Sequence, residues 1–462
     1  MRLKRLFGVR VLFNLVSFVA STLVPSLAFS QAPALSLLQS GTRYVGTITP
    51  GFNGDFGSAT TVSLNTPSYI VFDSHGNQYL SDTQNNCVRK IDTSGSMSTL
   101  VGLAVSGQGD TCSTTSNPTP TPTQGLYQPT GLAIDSSNNL YIADSKHNCI
   151  RMLANGASGV SALSTVAGTC GSAVSATPNP NGLVLDAGNN LYISLQDTET
   201  LPTVSTYQVI RQASGSASLC VMAGAPSTLV PNACPGITGS VVLNAPSGIA
   251  INGMGDLFIA DTGNNCVRQL ANLATYKTAV GLCSNDSSGN LATALNKPYG
   301  LAFSPAQSLL ITESNPDNVV SYTLGSSALA IAAGLPSGAS GPYSPTQDGN
   351  SALSAPLNAP RGIAVDSFGN FSLADSGNSI VRKLSSNIIF PTTPVGSVSA
   401  TMPLTFAINR SVDLTATAGP DFSITSNTCT GALTPAAAGA APNTCQVFIR
   451  FTPTRPGLRS AP

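Results

Sequence analysis

The chain has 462 residues, of which only 9% are charged, and 20 Lys and Arg are balanced by 20 Asp and Glu. Globular domains carry about 25% charged residues, so this chain has no electrostatic footprint for nucleic acid or an anionic membrane. With 43 Gly and 32 Pro it is dense in turns rather than helical.

At the start, Arg2, Lys4, Arg5 and Arg10 precede an apolar run from Val11 to Val24, and Ala28-Phe29-Ser30 ends in residues suited to cleavage before Gln31. This pattern predicts a secretory signal peptide over residues 1–30, with an uncleaved anchor as the alternative. No later segment is long and apolar enough to span a membrane. The mature chain is therefore expected to be exported, to the periplasm, the cell surface or the medium, as a monomer.

From Pro67 a pattern recurs, beginning PSYIVFDSHGNQYLSDTQNNCVRKI and returning at Pro129, Pro180, Pro246, Pro298 and Pro360. The fourth copy, PSGIAINGMGDLFIADTGNNCVRQL, shows its logic most cleanly. Short apolar runs are separated by Asn-, Gly- and Asp-rich turns, which reads as strand, turn, strand, turn, strand. A weaker fourth strand follows, such as Ser164 to Gly168 or Thr278 to Gly281. A spacing of about 50 to 66 residues suits a four-stranded blade, and six copies predict a closed ring. The sixth copy lacks its own fourth strand. Arg43 to Ile48 resembles one, so the N-terminal strand is expected to complete the last blade and remove an open seam.

These repeats, together with Leu-Asn-x-Pro before most of them (Leu64 to Pro67, Leu243 to Pro246, Leu295 to Pro298, Leu357 to Pro360), resemble NHL-repeat β-propellers over roughly Thr42 to Leu384. The resemblance implies an all-β, six-bladed propeller over residues 31–386. It leaves function open, because propellers host binding modules and enzymes alike. Residues 387–462 change character. Cys445, Val447, Ile449 and Phe451 alternate with polar neighbours as in a half-buried strand, and the segment resembles immunoglobulin-like modules. At about 75 residues it falls short of the roughly 100 of such a sandwich, so a truncated, partial β-sandwich is expected.

Export makes the ten Cys a disulfide question. Cys87, Cys149 and Cys266 share one place in the repeat and each has a Cys downstream, at Cys112, Cys170 and Cys283. Cys220 with Cys234 and Cys429 with Cys445 are the remaining neighbours; free thiols or a metal cluster are the alternative, though no C-x-x-C occurs.

The second strand of most copies ends in an acid: Asp82, Asp144, Asp261, Glu313 and Asp375. All fall on the face of the ring that carries the long connections. One reading makes them a ligand-binding ring, with a channel-bound Ca ion as the only cofactor considered; the other makes them turn formers that accept backbone N–H bonds. Arg89, Arg151, Arg211, Arg268 and Arg382 recur after the Cys position and suggest blade-to-blade bonding. His75 and His147, the two histidines, fall in turns on opposite faces, expected to be solvent-exposed, and form no three-His zinc site. Catalytic motifs such as G-x-S-x-G or H-E-x-x-H are absent. Specificity is expected in the long connections, 111–128 with its Pro-Thr run, 226–242 and 336–356, where Tyr127, Tyr299 and Tyr343 offer contact area. The sequence thus favours a non-catalytic scaffold for a protein or carbohydrate. The competing function is a metal-dependent lyase or hydrolase.

Overall fold

The computed structural model describes residues 35–37 and 40–385 apart from loop positions, the longest being 113–122, 197–206 and 284–294, and then 396–399, 402–408, 412–414, 421–428, 430–433 and 444–452. The expected signal peptide, the Pro-Thr run from Pro118 to Pro122 and Cys429 lie outside the described residues. The chain divides into two compact units, residues 41–384 and residues 1–40 with 385–462.

The larger unit is the six-bladed propeller, built of antiparallel sheets. In the fourth blade the strands are Pro246–Ile251, Leu257–Asp261, Cys266–Ala271 and Thr275–Gly281, in that spatial order. The other blades follow the same plan, and Ser40–Val45 takes the fourth place in the last one, beside Ile380–Ser385. The N-terminal strand therefore closes the ring. Val45 is fully buried and packs with Leu64, Ala374 and Val381 between the last blade and the first.

Each pair of adjacent blades shares an apolar cluster. Between the first and second blades Val88, Val101 and Leu126 meet Leu132, Leu140 and Ile142. Between the fourth and fifth, Phe258 and Val267 meet Leu301, Ile311 and Val320. The first strands approach closely around the channel, which explains the Pro-x-Gly that opens most repeats. A Cβ on Gly131 would lie 2.0 Å from the Asn181 carbonyl oxygen, and one on Gly300 2.2 Å from that of Arg361. Only Gly fits there.

Hydroxyls tie each blade to the next around the whole ring. Thr83 donates to the Pro129 carbonyl (2.7 Å), Ser145 to Pro180 (2.6 Å), Ser194 to Ser247 (2.5 Å), Thr262 to Pro298 (2.7 Å) and Thr312 to Arg361 (2.6 Å). Ser376 donates to the Pro67 carbonyl and so joins the last blade to the first.

Four disulfides link Cys87 to Cys112, Cys149 to Cys170, Cys220 to Cys234 and Cys266 to Cys283. Cys445 is disulfide-bonded too.

The smaller unit contains a four-stranded antiparallel sheet in the order Leu35–Leu37, Met402–Ile408, Thr444–Phe451, Phe422–Asn427, and a ribbon of Val412–Leu414 with Gly431–Leu433. Leu35–Leu37 thus pairs with Met402–Ile408, although the sequence reading counts residues from 31 onward with the propeller. Cys445, Val447 and Ile449 are buried as their alternation predicts.

Candidate functional site

Among the described residues, the acidic ring and the central channel gather chemically capable side chains. The four Asp residues sit where the second strand enters a 3₁₀ turn, such as Thr83–Asn85 after Asp82, and Glu313 lies one residue before the end of its strand. Their side chains are turned into the blade. Asp82, Asp144, Asp261 and Asp375 have no exposed surface, and Glu313 is 4% exposed.

One carboxylate oxygen of each accepts a backbone N–H from the connection leading into its own blade. The donors are Asn65 to Asp82, Tyr127 to Asp144, Asn244 to Asp261, Asn296 to Glu313 and Asn358 to Asp375, all at 2.7–2.8 Å. The second oxygen of Asp82, Asp261 and Asp375 accepts from the amides of Asn85, Asn264 and Asn378 at 2.8–2.9 Å. His147 takes that place in the second blade, 2.9 Å from Asp144. It is 3% exposed, which corrects the expectation of an exposed turn residue: it replaces an Asn inside a bonded turn. His75 is exposed, as expected.

Arginine completes the arrangement. Arg268 Nε lies 2.6 Å from Asp261 and Arg382 Nε 2.9 Å from Asp375, while Arg89 and Arg151 lie 3.6 and 3.8 Å from Asp82 and Asp144. Arg211 does not belong to this set. It pairs across the sheet with Tyr192, whereas Ile210 faces Ile193 in the way Arg268 faces Ile259. The one-residue offset puts Arg211 on the other side of the sheet.

The second Asn of the N-N-C and H-N-C motifs acts between blades. Asn86, Asn148 and Asn265 adopt left-handed φ of 56°, 57° and 57°, a conformation Asn tolerates well. Their Oδ1 atoms accept the backbone N–H of Gln128, Asn179 and Lys297, each at 2.8 Å.

Burial pushes Asp82 up to about 6, with Arg89 and the N–H donors opposing it. Burial likewise raises Asp375 against the pull of Arg382. Glu313, which lacks an Arg, is pushed up to about 7 by burial, opposed only by the Asn296 N–H. Asp82 also lies beside Cys87 and Cys112, but both sulfurs are in a disulfide, so the trio does not fit a metal.

The channel is the second place. A cavity of about 310 Å³ runs along the axis, lined by the first strands from Tyr69–Phe72 round to Ile363–Val365. Its side chains are aliphatic or aromatic and include no carboxylate, so a Ca²⁺ there would find only backbone carbonyls. Tyr69 stands in the first blade where the other blades have Gly. Its ring centroid lies 6.1 Å from that of Tyr299, and Arg361 stacks over Tyr299 at 5.3 Å. Tyr299 donates to Asn181 Oδ1 at 3.2 Å. Tyr127 packs edge-on against His147 at 5.8 Å, and Tyr343 is buried under Arg382 at 5.0 Å. The ring of acids and Tyr299 are therefore separate features. Tyr69 carried a signal in the sequence, because PSY departs from the Pro-x-Gly of every other copy.

Residues 48–271 match the family model of the teneurin NHL domain. The larger unit is an NHL-repeat propeller. Human teneurin-4 is 29% identical over 243 residues, which covers 46% of this chain and 8% of teneurin-4, so the chain spans a small part of that protein's length. Among solved structures, a Bacteroides thetaiotaomicron protein of unknown function shares 12% identity over 76% of both chains with a TM-score of 0.54. An auxiliary nutrient binding protein from the same organism shares 15% identity over 76% of this chain and 77% of its own, with a TM-score of 0.53. At these identities the structural likeness shows the fold alone.

Proposed function

We propose that this NHL-repeat propeller is an exported, non-catalytic binding scaffold for a protein or carbohydrate ligand. The observation that carries the reading is the use of the acidic ring. The four Asp carboxylates of the ring are buried and accept from N–H, amide, imidazole or guanidinium donors of their own blades, and Glu313 is buried with the Asn296 N–H as its donor. A general base must present a lone pair within reach of a substrate proton, and the ring Asp residues, with no exposed surface, present none to a ligand in solvent.

The rest of the molecule suits display. A ring whose six members are joined by hydroxyl bonds and apolar clusters holds its connections rigidly. The disulfides in four blades support export, since such bonds persist in oxidising compartments. The smaller unit is read as a partial immunoglobulin-like module.

Probing glycan and protein arrays with the full exported chain tests the proposal. Saturable binding without turnover of the bound ligand is the expected result. A stoichiometric divalent cation whose removal abolishes a lyase or hydrolase activity would overturn it.

A further inference from the structure

The start of each first strand lines the channel mouth on the face that carries the long connections. Ser68, Thr130 and Ser247 are small there and bond their hydroxyls to Thr83, Ser145 and Thr262, whereas Asn181, Tyr299 and Arg361 place larger groups. Tyr69 adds a phenol from the first blade that reaches across to the third, since its oxygen would lie 3.2 Å from a Cβ on Gly182. Three blades besides the first thus contribute to one axial cluster: the Asn181 amide, the Tyr299 phenol and the Arg361 guanidinium.

Two groups of the channel mouth, Arg361 and Tyr69, lack polar side-chain partners among the described residues, unlike the third-strand arginines that face a ring Asp. Arg89, Arg151, Arg268 and Arg382 each face a buried Asp. The Arg361 guanidinium has no ion pair or hydrogen-bond acceptor among the described residues, and stacks half-buried on Tyr299. The Tyr69 hydroxyl is without a hydrogen-bond partner although the residue is only 8% exposed. A buried donor left unmade is costly, and an acceptor arriving at the Tyr69 hydroxyl would remove that cost. Stacking leaves the N–H edges of a guanidinium free to fork onto a planar two-oxygen anion. Burial also raises the Tyr69 phenol well above its ordinary range, with the Arg361 charge opposing, so it remains a proton donor at neutral pH.

We propose that the axial mouth of the propeller binds the carboxylate of a small organic acid, with Arg361 forking onto its two oxygens, Tyr69 donating a further bond, and Tyr299 and Asn181 holding Arg361 in place. This deepens the scaffold reading, on which it rests, by naming a ligand chemistry at the channel axis. No bond is made or broken.

The test is calorimetric titration of the full chain with acetate, benzoate and glucuronate, and with inorganic phosphate and chloride as anions of other shapes. A carboxylate should bind saturably and better than phosphate or chloride. Arg361→Gln should weaken it at least tenfold, Arg361→Lys should also weaken it because the fork is lost, and Tyr69→Phe should cost at least threefold without lowering the melting temperature. Equal binding of all anions, or unchanged carboxylate affinity in Arg361→Gln or Arg361→Lys, overturns the proposal. So does Tyr69→Phe with unchanged affinity and a higher melting temperature, which would mark the phenol as a buried group with no ligand. An array ligand found without carboxylate binding leaves the scaffold reading standing and removes this one. Turnover of the bound acid contradicts the scaffold reading instead.

Discussion

Blades one, two, four and six differ from blades three and five in how they treat one buried position. The first group carries Asp82, Asp144, Asp261 or Asp375 with an Arg seven residues further on, and its blade-to-blade hydroxyl directly follows the Asp. In the third blade the Arg is absent and the acid has become Leu195, opposite Gln208. In the fifth, Val320 replaces Arg and Glu313 remains, pushed up to about 7. Both of these blades move the inter-blade hydroxyl into the second strand, at Ser194 and Thr312. An Asp thus stands at this position where a guanidinium faces it, and where none does the acid is replaced by Leu195 or is Glu313, raised by burial with no cation opposing.

This difference can be broken experimentally, and the largest effect is expected where the cation would be stranded. Asp375→Ala leaves Arg382, 1% exposed, without its partner and should cost about 3–5 kcal/mol in denaturant unfolding. A cost under about 1 kcal/mol would show that the pair is incidental.

Glu313 should give the ring a pH dependence of its own. An acid with a folded pKa above its unfolded value holds its proton more tightly when folded, so its stabilising contribution is complete below about 4.5 and is lost as pH rises through about 7. That difference corresponds to about 3 kcal/mol. Glu313→Gln keeps an acceptor for the Asn296 N–H and should flatten the fall in stability between pH 5 and 8. An unchanged pH profile in this variant would contradict the assignment.

The smallest effect belongs to His147→Asn. It installs the residue that Asp82, Asp261 and Asp375 already use and should change stability by less than about 1 kcal/mol. A much larger loss would mean that the edge contact with Tyr127 matters more than the bond to Asp144.

Much of the architecture was legible because each copy of the repeat states the same rule. Pro-x-Gly, the turn residues and the Cys positions recur, so blade boundaries, ring closure by the N-terminal strand and the shared place of Cys87, Cys149 and Cys266 follow from laying the copies over each other, whereas Cys220 and Cys234 were candidates by proximity alone and the pairing itself stayed open. The acidic ring was harder to read. Its acids share a face in sequence terms, but whether a carboxylate points at solvent or into the blade depends on the Arg seven residues on and on the Asn N–H of the incoming connection. Those contacts are set by strand register. Arg211 illustrates this, since the insertion in the third copy hides a one-residue offset that moves it across the sheet. Arg361 and Tyr69 lie where the copies differ: the break in Pro-x-Gly marks Tyr69, but the shared pattern does not say what either residue faces.

Each ring Asp holds its own blade's turn, incoming connection and Arg together, and the fourth blade offers the cleanest pair, with Arg268 Nε 2.6 Å from Asp261. A double-mutant cycle of Asp261→Asn and Arg268→Met, read by denaturant unfolding of the full chain, tests it directly. Each single change should cost about 3 kcal/mol or more, and the double variant should be at least about 2 kcal/mol more stable than the sum of the two losses implies. Losses that add to within about 0.5 kcal/mol would contradict the account.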